Sequence, residues 1–315
     1  MKNRRSFIVG IKSTSLSKNE KFFLKKYKPW GIILFSRNLK NFNQIQSLTS
    51  EIKLIFKDNK YPILIDQEGG KVNRLINLIE TSVLTADYFG NLFKMNKKKF
   101  YYYYKVYISQ ISYLLNELGI NINTVPVLDI RRIKSSNIIG NRSYSSILKN
   151  VSKIGNFCIH EFSNYRIGTV MKHIPGHGLA KVDSHKMTPI VFNKSSYLYK
   201  NDFSAFKNKK AFFAMTAHII YKDIDSINTA THSNKIINII RNKLKFKNII
   251  ISDDISMKSL KKSIKLNTIK ALSAGCNLIL HCNANYSEMI TVAKNSPKLD
   301  NFLLKKTSQF YNFLS

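Results

Sequence analysis

The stretch NIIISDDISM, residues 248–257, joins an unbroken β-branched run to a pair of carboxylates. A continuous apolar run of this length is typical of a parallel strand buried on both faces, because a strand with one face in water would alternate. Asp253 and Asp254 therefore stand at the carboxyl end of a predicted strand. In a barrel of parallel strands, this is the end at which active sites are built.

Seven further runs of the same kind occur elsewhere in the chain, and amphipathic helical patterns separate them. Eight strands alternating with helices predict an α/β fold, a (β/α)₈ TIM barrel that occupies residues 1–315 as a single domain. An open doubly wound sheet is the structural alternative. The tail from Asn283 predicts one or two covering helices. The seven runs are residues 7–10, 31–35, 62–66, 123–129, 169–173, 212–218 and 276–281.

The composition is strongly basic, with 51 Lys and Arg against 18 Asp and Glu and a net charge of +33. Such an excess of positive charge raises the possibility that the protein binds nucleic acid. The lysines are spread along the whole chain and form no single patch. This distribution favours the codon bias of an AT-rich genome as the explanation of the positive charge. The stretch KKKFYYYYK, residues 97–105, predicts a core-facing helix that begins after a solvated lysine cluster. We therefore expect no nucleic-acid partner and, at most, weak steering of anionic substrates.

Three cysteines, Cys158, Cys276 and Cys282, fit neither a metal motif nor complete pairing in disulfides. Free thiols are typical of a reducing compartment. The apolar run near the N-terminus is too short for a signal peptide, and no run approaches the length of a membrane span. These features predict a soluble cytoplasmic protein without a membrane partner.

The segment IDQEGGKVNR, residues 65–74, follows the third predicted strand. Its two glycines allow the backbone to approach a ligand closely. Asp66 and Arg74 can together bind the hydroxyls of a sugar. Asp129 also stands at a strand end, so the scarce acidic residues concentrate at one predicted rim.

The segment KHIPGHG, residues 172–178, follows the fifth predicted strand, and Asp183-Ser184-His185 closes the same loop. Three histidines at positions 173, 177 and 185 raise the possibility of a zinc site, although their spacing matches no helical zinc motif. An aspartate two residues before a histidine can orient the ring and tune its pKa for proton transfer. The loop therefore predicts acid/base chemistry.

Taken together, these segments resemble the β-N-acetylhexosaminidases of glycoside hydrolase family 3, the single-domain bacterial type. The motifs that carry the resemblance stand in the family's order from about the first strand to the eighth. The resemblance implies a (β/α)₈ barrel, a retaining two-step mechanism and no cofactor or metal. The motifs are GIILF with Arg37-Asn38, IDQEGG, PVLD at 126–129, KHIPGHG with DSH, MTAH at 215–218, and SDDISM.

The resemblance also implies roles for individual residues. Asp253 would be the nucleophile, His185 the general acid/base, and Asp183 the partner of His185. The substrate would be a small peptidoglycan fragment, a 1,6-anhydro-muropeptide, from which a monomeric enzyme removes terminal N-acetylglucosamine during cell-wall recycling. The sugar would be bound by Asp66, Arg74, Arg142, Lys172 and His173.

Two positions depart from the family pattern. Leu179 stands where relatives often have Asp after GHG, and Asn277 stands where an Asp is usual before the eighth strand. Neither is a catalytic position. Three alternatives remain at this point: a phosphorylase on the same fold, a basic nucleic-acid-binding protein, and a zinc hydrolase that uses His173, His177 and His185.

Overall fold

The computed structural model describes residues 1–132, 139–184 and 186–315. Eight strands, all but β6 and β8, close into a parallel barrel in the order β1-β2-β3-β4-β5-β7-β9-β10, while β6 and β8 pair as a separate two-stranded sheet. The (β/α)₈ prediction is therefore confirmed, and the open sheet is excluded. The strands are β1 (Arg5–Gly10), β2 (Pro29–Leu34), β3 (Ile63–Ile65), β4 (Ile122–Asn123), β5 (Gly168–Ile174), β6 (Ile190–Val191), β7 (Phe213–Thr216), β8 (Ile220–Tyr221), β9 (Ile249–Asp254) and β10 (Leu278–His281).

The fourth strand is shorter than predicted. The apolar run at 123–129 suggested a strand throughout, but β4 ends at Asn123. Pro126 interrupts the ladder because it has no backbone N–H to donate. Beyond it the chain meets β5 at a single bridge, between Val127 and Lys172.

Ten α-helices lie in the described residues, and their ends follow capping rules. Ser17 and Glu20 form a capping box at the start of α1, and Gly275, at φ 111°, ends α8 in the left-handed region. The helices are α1 (Lys18–Tyr27), α2 (Phe42–Phe56), α3 (Ala86–Met95), α4 (Lys97–Glu117), α5 (Leu148–Asn164), α6 (Ser195–Asn201), α7 (Asn234–Asn242), α8 (Ile264–Ala274), α9 (Tyr286–Asn295) and α10 (Asn301–Phe313).

The apolar interior has two parts, one between the strands and the outer helices and one inside the barrel. The helix α10 covers the amino end of the barrel, where Phe310 packs edge-on against Phe213 with ring centroids 5.2 Å apart. Trp30 is fully buried there and donates a 2.9 Å hydrogen bond to Thr307 Oγ1. The covering helices predicted for the tail are thus α9 and α10, and the opposite end of the barrel stays open for a site.

The basic and aromatic stretch at 97–105 forms the start of α4. Phe100 and Tyr104 are buried, as the prediction of a core-facing helix requires, but Tyr101, Tyr102 and Tyr103 are exposed. None of the described helices combines the length and the apolarity of a membrane span.

Candidate active site

A cavity of about 200 Å³ opens at the carboxyl end of the barrel. Six of the eight predicted site residues line it: Asp66, Arg74, Arg142, Lys172, His173 and Asp253. Asp183 is half-buried in the loop after β5, next to Ser184, which lines the cavity. His185 lies outside the described residues. The remaining lining residues are Ile33, Phe35, Val72, Ile139, His177, Ser184, Met215, Asp254, Met257, Leu280 and Cys282.

Asp66 is the centre of a charged network on the cavity wall. Its Oδ1 accepts hydrogen bonds from Lys172 Nζ and Thr124 Oγ1, and its Oδ2 accepts one from Arg74 at 3.1 Å. Burial opposes ionisation, but Lys172 and Arg74 outweigh it and hold the pKa of Asp66 well below its usual value. The carboxylate is therefore charged at any physiological pH and can accept hydrogen bonds from ligand hydroxyls.

The residue after Asp66 organises the loop that carries Arg74. Gln67 is buried, and its Oε1 accepts hydrogen bonds from the backbone N–H groups of Arg74 at 2.8 Å and Leu75 at 3.1 Å. Its amide nitrogen donates to Asn73 Oδ1 at 3.0 Å. The segment IDQEGGKVNR therefore supplies two charged groups of the cavity wall, Asp66 and Arg74, and the scaffold that places them.

His173 is oriented by a buried carboxylate. Asp129 is fully buried, and one of its oxygens lies 2.7 Å from His173 Nδ1. Burial opposes ionisation of Asp129, but His173 and other donors hold its pKa below the usual value. An ionised carboxylate only accepts hydrogen bonds, so His173 Nδ1 carries the proton and Nε2 is left for a ligand.

The histidine of GHG serves the loop after β5. His177 donates its backbone N–H to Asp129 Oδ1 at 2.6 Å, and its Nε2 lies 3.3 Å from Ser184 Oγ. Burial, with a smaller effect from His173, lowers the pKa of His177 to about 4. The ring is therefore neutral at pH 7 and connects the beginning of the loop to the Asp183-Ser184 segment.

The two aspartates of SDDISM have different surroundings. Asp254 Oδ1 accepts hydrogen bonds from the backbone N–H groups of Ser256 at 3.1 Å and Cys282 at 3.2 Å, while its Oδ2 accepts one from Ser256 Oγ at 2.7 Å. The neighbouring Asp253 accepts the backbone N–H of Asp254 at 2.8 Å. Asp254 thus holds the turns after β9 and β10 through its side chain.

The MTAH motif supports the same strand end. His218 is buried, its Nε2 donates to the backbone carbonyl of Asp254 at 3.0 Å, and its Nδ1 accepts from Thr231 Oγ1 at 2.7 Å. Burial lowers the pKa of His218, which agrees with a neutral ring that donates on one side and accepts on the other. Met215, from the same motif, lines the cavity.

Sequence reasoning did not assign three supporting residues of this site: Glu68, Asp129 and His218. All three lie in motifs that are visible in the sequence, and Asp129 stands at the end of a predicted strand. Their partners are distant along the chain; Asp129 and His173, for example, are 44 positions apart. Strand-end position alone could have marked Asp129, but only the closed barrel shows what each residue contacts.

Comparison with known proteins agrees with the predicted resemblance. A family model described as Glycosyl hydrolase family 3 N terminal domain matches residues 8–303. A protein of Psychromonas ingrahamii named β-hexosaminidase is 30% identical over 98% of this chain and 89% of its own length. Another β-hexosaminidase, from Haemophilus influenzae, is 31% identical over 88% of this chain and 79% of its own.

The solved structures include native NagZ from Neisseria gonorrhoeae, which superimposes with a TM-score of 0.86 at 25% identity and covers 99% of this chain and 90% of that one. The similarity in sequence and the similarity in fold therefore both extend over nearly the whole length of this chain. The chain belongs to glycosyl hydrolase family 3 and is a glycoside hydrolase.

Proposed function

We propose that this single-domain enzyme is a retaining β-N-acetylhexosaminidase that removes terminal, non-reducing N-acetylglucosamine. The observation that carries the proposal is the cavity, in which Asp253 shares the wall with Asp66, Arg74, Lys172 and His173. Such a wall offers a carboxylate for attack together with hydroxyl-binding groups of both signs. The names of the relatives support the same activity. N-trifluoroacetyl-D-glucosamine is bound in a NagZ structure from Neisseria gonorrhoeae.

In the first step Asp253 attacks the anomeric carbon and forms a glycosyl ester, while the glycosidic oxygen leaves with a proton. In the second step water attacks the same carbon, gives up a proton and releases the carboxylate. Asp66, Arg74 and Arg142 bind the sugar hydroxyls, together with Lys172 and His173. The hydrogen bonds to Asp254 that brace the turn after β9 keep Asp253 in place.

We assign the proton transfers to His185, with Asp183 as its orienting partner. An imidazole with a pKa of about 6.5 can donate a proton in the first step and accept one in the second near neutral pH. Ser184, between the two residues, lines the cavity and contacts His177, which supports placing the proton donor on this loop. A histidine replaces the carboxylic acid that most glycosidases use.

The natural substrate in this proposal is an N-acetylglucosaminyl-1,6-anhydro-muropeptide, processed in the cytoplasm by a monomer. Such fragments carry carboxylates. Exposed lysines on the loops after β5 and β9, Lys181, Lys186 and Lys258, supply positive charge near the open end of the barrel. The three free cysteines agree with a reducing compartment.

The decisive experiment compares Asp253→Ala, Asp254→Asn and the parent enzyme on an aryl β-N-acetylglucosaminide. Loss of the nucleophile should lower turnover by about 10⁴-fold or more, whereas Asp254→Asn retains the nucleophile and should keep far more activity. A near-parental rate for Asp253→Ala would contradict its role as the nucleophile, and Asp254 would become the candidate. Parallel assays with and without inorganic phosphate distinguish hydrolysis from phosphorolysis.

A further inference from the structure

Glu68 connects three parts of the site through one carboxylate. Its Oε2 accepts Arg142 Nε at 2.7 Å, and its Oε1 accepts the second Arg142 nitrogen at 2.7 Å and Lys172 Nζ at 2.5 Å. Glu68 follows β3, Arg142 lies in the segment after β4, and Lys172 belongs to β5. A paired contact of this kind fixes the orientation of a guanidinium as well as its position.

This carboxylate lies behind the cavity wall. The Glu68 side chain is only 5% exposed, and Glu68 is not one of the residues that line the cavity, whereas Arg142 and Lys172 both are. Burial opposes ionisation of Glu68, but Arg142 and Lys172 outweigh it and hold its pKa below the usual value. Glu68 is thus a charged group placed to act on the ligand-binding cations and not on the ligand.

The two glycines of the motif hold Glu68 in this position. Gly69 and Gly70 adopt φ values of 86° and 59°, in the left-handed region that favours glycine. The turn is closed by the Glu68 N–H, which donates to the Val72 carbonyl at 3.0 Å. A Cβ at Gly69 would stand 2.5 Å from the carbonyl oxygen of Leu84, so the turn has no room for a side chain there.

We propose that Glu68 is a positioning residue that sets the sugar-binding geometry of Arg142 and Lys172. The proposal rests on the proposed function, because it assumes that these two cations bind the sugar. Without the carboxylate of Glu68, less negative charge would offset the repulsion between Arg142 and Lys172. Lys172 would keep Asp66, but Arg142 would lose the paired contact that fixes the orientation of its guanidinium.

The chain offers a matched control for loss of a buried ion pair. Arg4 contacts Asp58 at 2.5 Å, with side chains 6% and 18% exposed, at the amino end of the barrel and away from the cavity. Glu68→Gln and Asp58→Asn both remove a charge and keep the shape of the side chain. Both should lower thermal stability, but only Glu68→Gln should weaken sugar binding.

The test measures kcat and KM on an aryl β-N-acetylglucosaminide, and the Kd of N-acetylglucosamine by calorimetry. For Glu68→Gln we expect KM and Kd to rise about tenfold, the effect of losing a charge-assisted pair, with a smaller change in kcat. Glu68→Asp keeps the charge but shortens the reach and should give an intermediate effect. Asp58→Asn should leave KM and Kd unchanged.

A double-variant comparison separates positioning from general damage. Since Glu68 acts partly through Arg142, adding Glu68→Gln to an Arg142→Ala background should raise KM less than it does in the parent. Unchanged KM and Kd in Glu68→Gln, or an equal rise in Asp58→Asn, would overturn the proposal. If Glu68→Gln does not fold, a parental Kd in Glu68→Asp overturns it instead. A parent enzyme that binds N-acetylglucosamine without turnover would contradict the proposed function alone.

Discussion

At the residue scale, the charged side chains on and directly behind the cavity wall alternate in sign from Arg74 through Asp66, Lys172 and Glu68 to Arg142, and each contacts the next. Burying any one of these groups alone would be costly. Alternation offsets that cost and leaves the run with one net positive charge, from three cations and two anions. The wall can therefore present both donors and acceptors to a polyhydroxylated ligand.

The proposed general acid/base role of His185 can be tested with leaving groups of different basicity. A nitrophenolate departs without a proton, whereas a sugar alkoxide needs one. His185→Ala should therefore lose much more activity on a disaccharide than on a nitrophenyl substrate. With the activated substrate the glycosyl-enzyme should accumulate, and added azide should release it as a β-linked product. The ratio of the two rates, with and without azide, is the measurement.

Asp183→Ala should show a milder form of the same behaviour, because it removes only the partner that orients the ring. Equal losses on both substrates without azide rescue would contradict the role of His185. The search for the proton donor would then move to His173, whose Nε2 is the ring atom left for a ligand.

The cavity-lining residues were easier to predict from the sequence than the residues that support them. Asp66, Arg74, Lys172 and Asp253 stand at strand ends or in the loops after them, and a barrel brings all such ends together, so their convergence follows from the fold alone. The role of Glu68 depends on Arg142, 74 positions away. Because that contact exists only in the folded barrel, no local pattern revealed it.

At the element scale, the residue that precedes β10 departs from the family pattern in a way that the structure explains. Asn277 stands just before this strand, and its Oδ1 accepts the backbone N–H of Ile250 at 2.8 Å and a guanidinium nitrogen of Arg241 at 2.7 Å. Arg241 also donates to the backbone carbonyls of Phe246 and Asn248. All these acceptors are neutral, and burial lowers the pKa of Arg241 to about 10.

Asn277→Asp should therefore stabilise the protein. The substitution keeps the accepting oxygen and places a carboxylate beside a partly buried cation, and a hydrogen bond to a charged acceptor contributes about 1 kcal/mol more than a neutral one. We expect a higher midpoint of thermal unfolding at pH 7. Asn277→Ala, which removes the acceptor, should lower the midpoint; an unchanged or lower midpoint for Asn277→Asp would contradict this account.

Helix ends were predictable where a few neighbouring residues determine the local structure. The capping box of α1 and the left-handed end of α8 were both visible in the sequence. The length of β4 was not, because an apolar run gives the same signal whether it is paired in a ladder or buried in a loop. Pro126 was the local indication that the ladder would stop.

At the scale of the whole molecule, histidines that stay neutral in the fold make the stability of the barrel depend on pH. Burial is the largest cause that lowers the pKa of His177 and of His232 to about 4, and it also lowers that of His218. Asp66 and Glu68 have lowered pKa values because of their cationic partners. In each case the folded protein binds the proton more weakly than the unfolded chain does.

The sign of the pH effect follows from this difference. As the pH falls below about 6.5, the unfolded chain takes up protons on histidines that stay neutral in the fold, so the free energy of unfolding decreases. The loss from the histidines continues to about pH 4. Below the usual carboxyl pKa of about 4, the paired carboxylates add a second loss.

We therefore predict that the free energy of unfolding, measured by urea titration, is constant near neutral pH and falls steadily from pH 6.5 towards pH 4. His177 alone should account for up to about 3 kcal/mol of that fall, at about 1.4 kcal/mol per pKa unit. His177→Asn should make the slope shallower, even if its stability at pH 7 is lower. His160→Asn, at an exposed position on α5, is the matched control for a histidine-to-asparagine substitution. Equal slopes for His177→Asn and the parent would show that the buried ring does not resist protonation, and the acid sensitivity would then belong to the carboxylates.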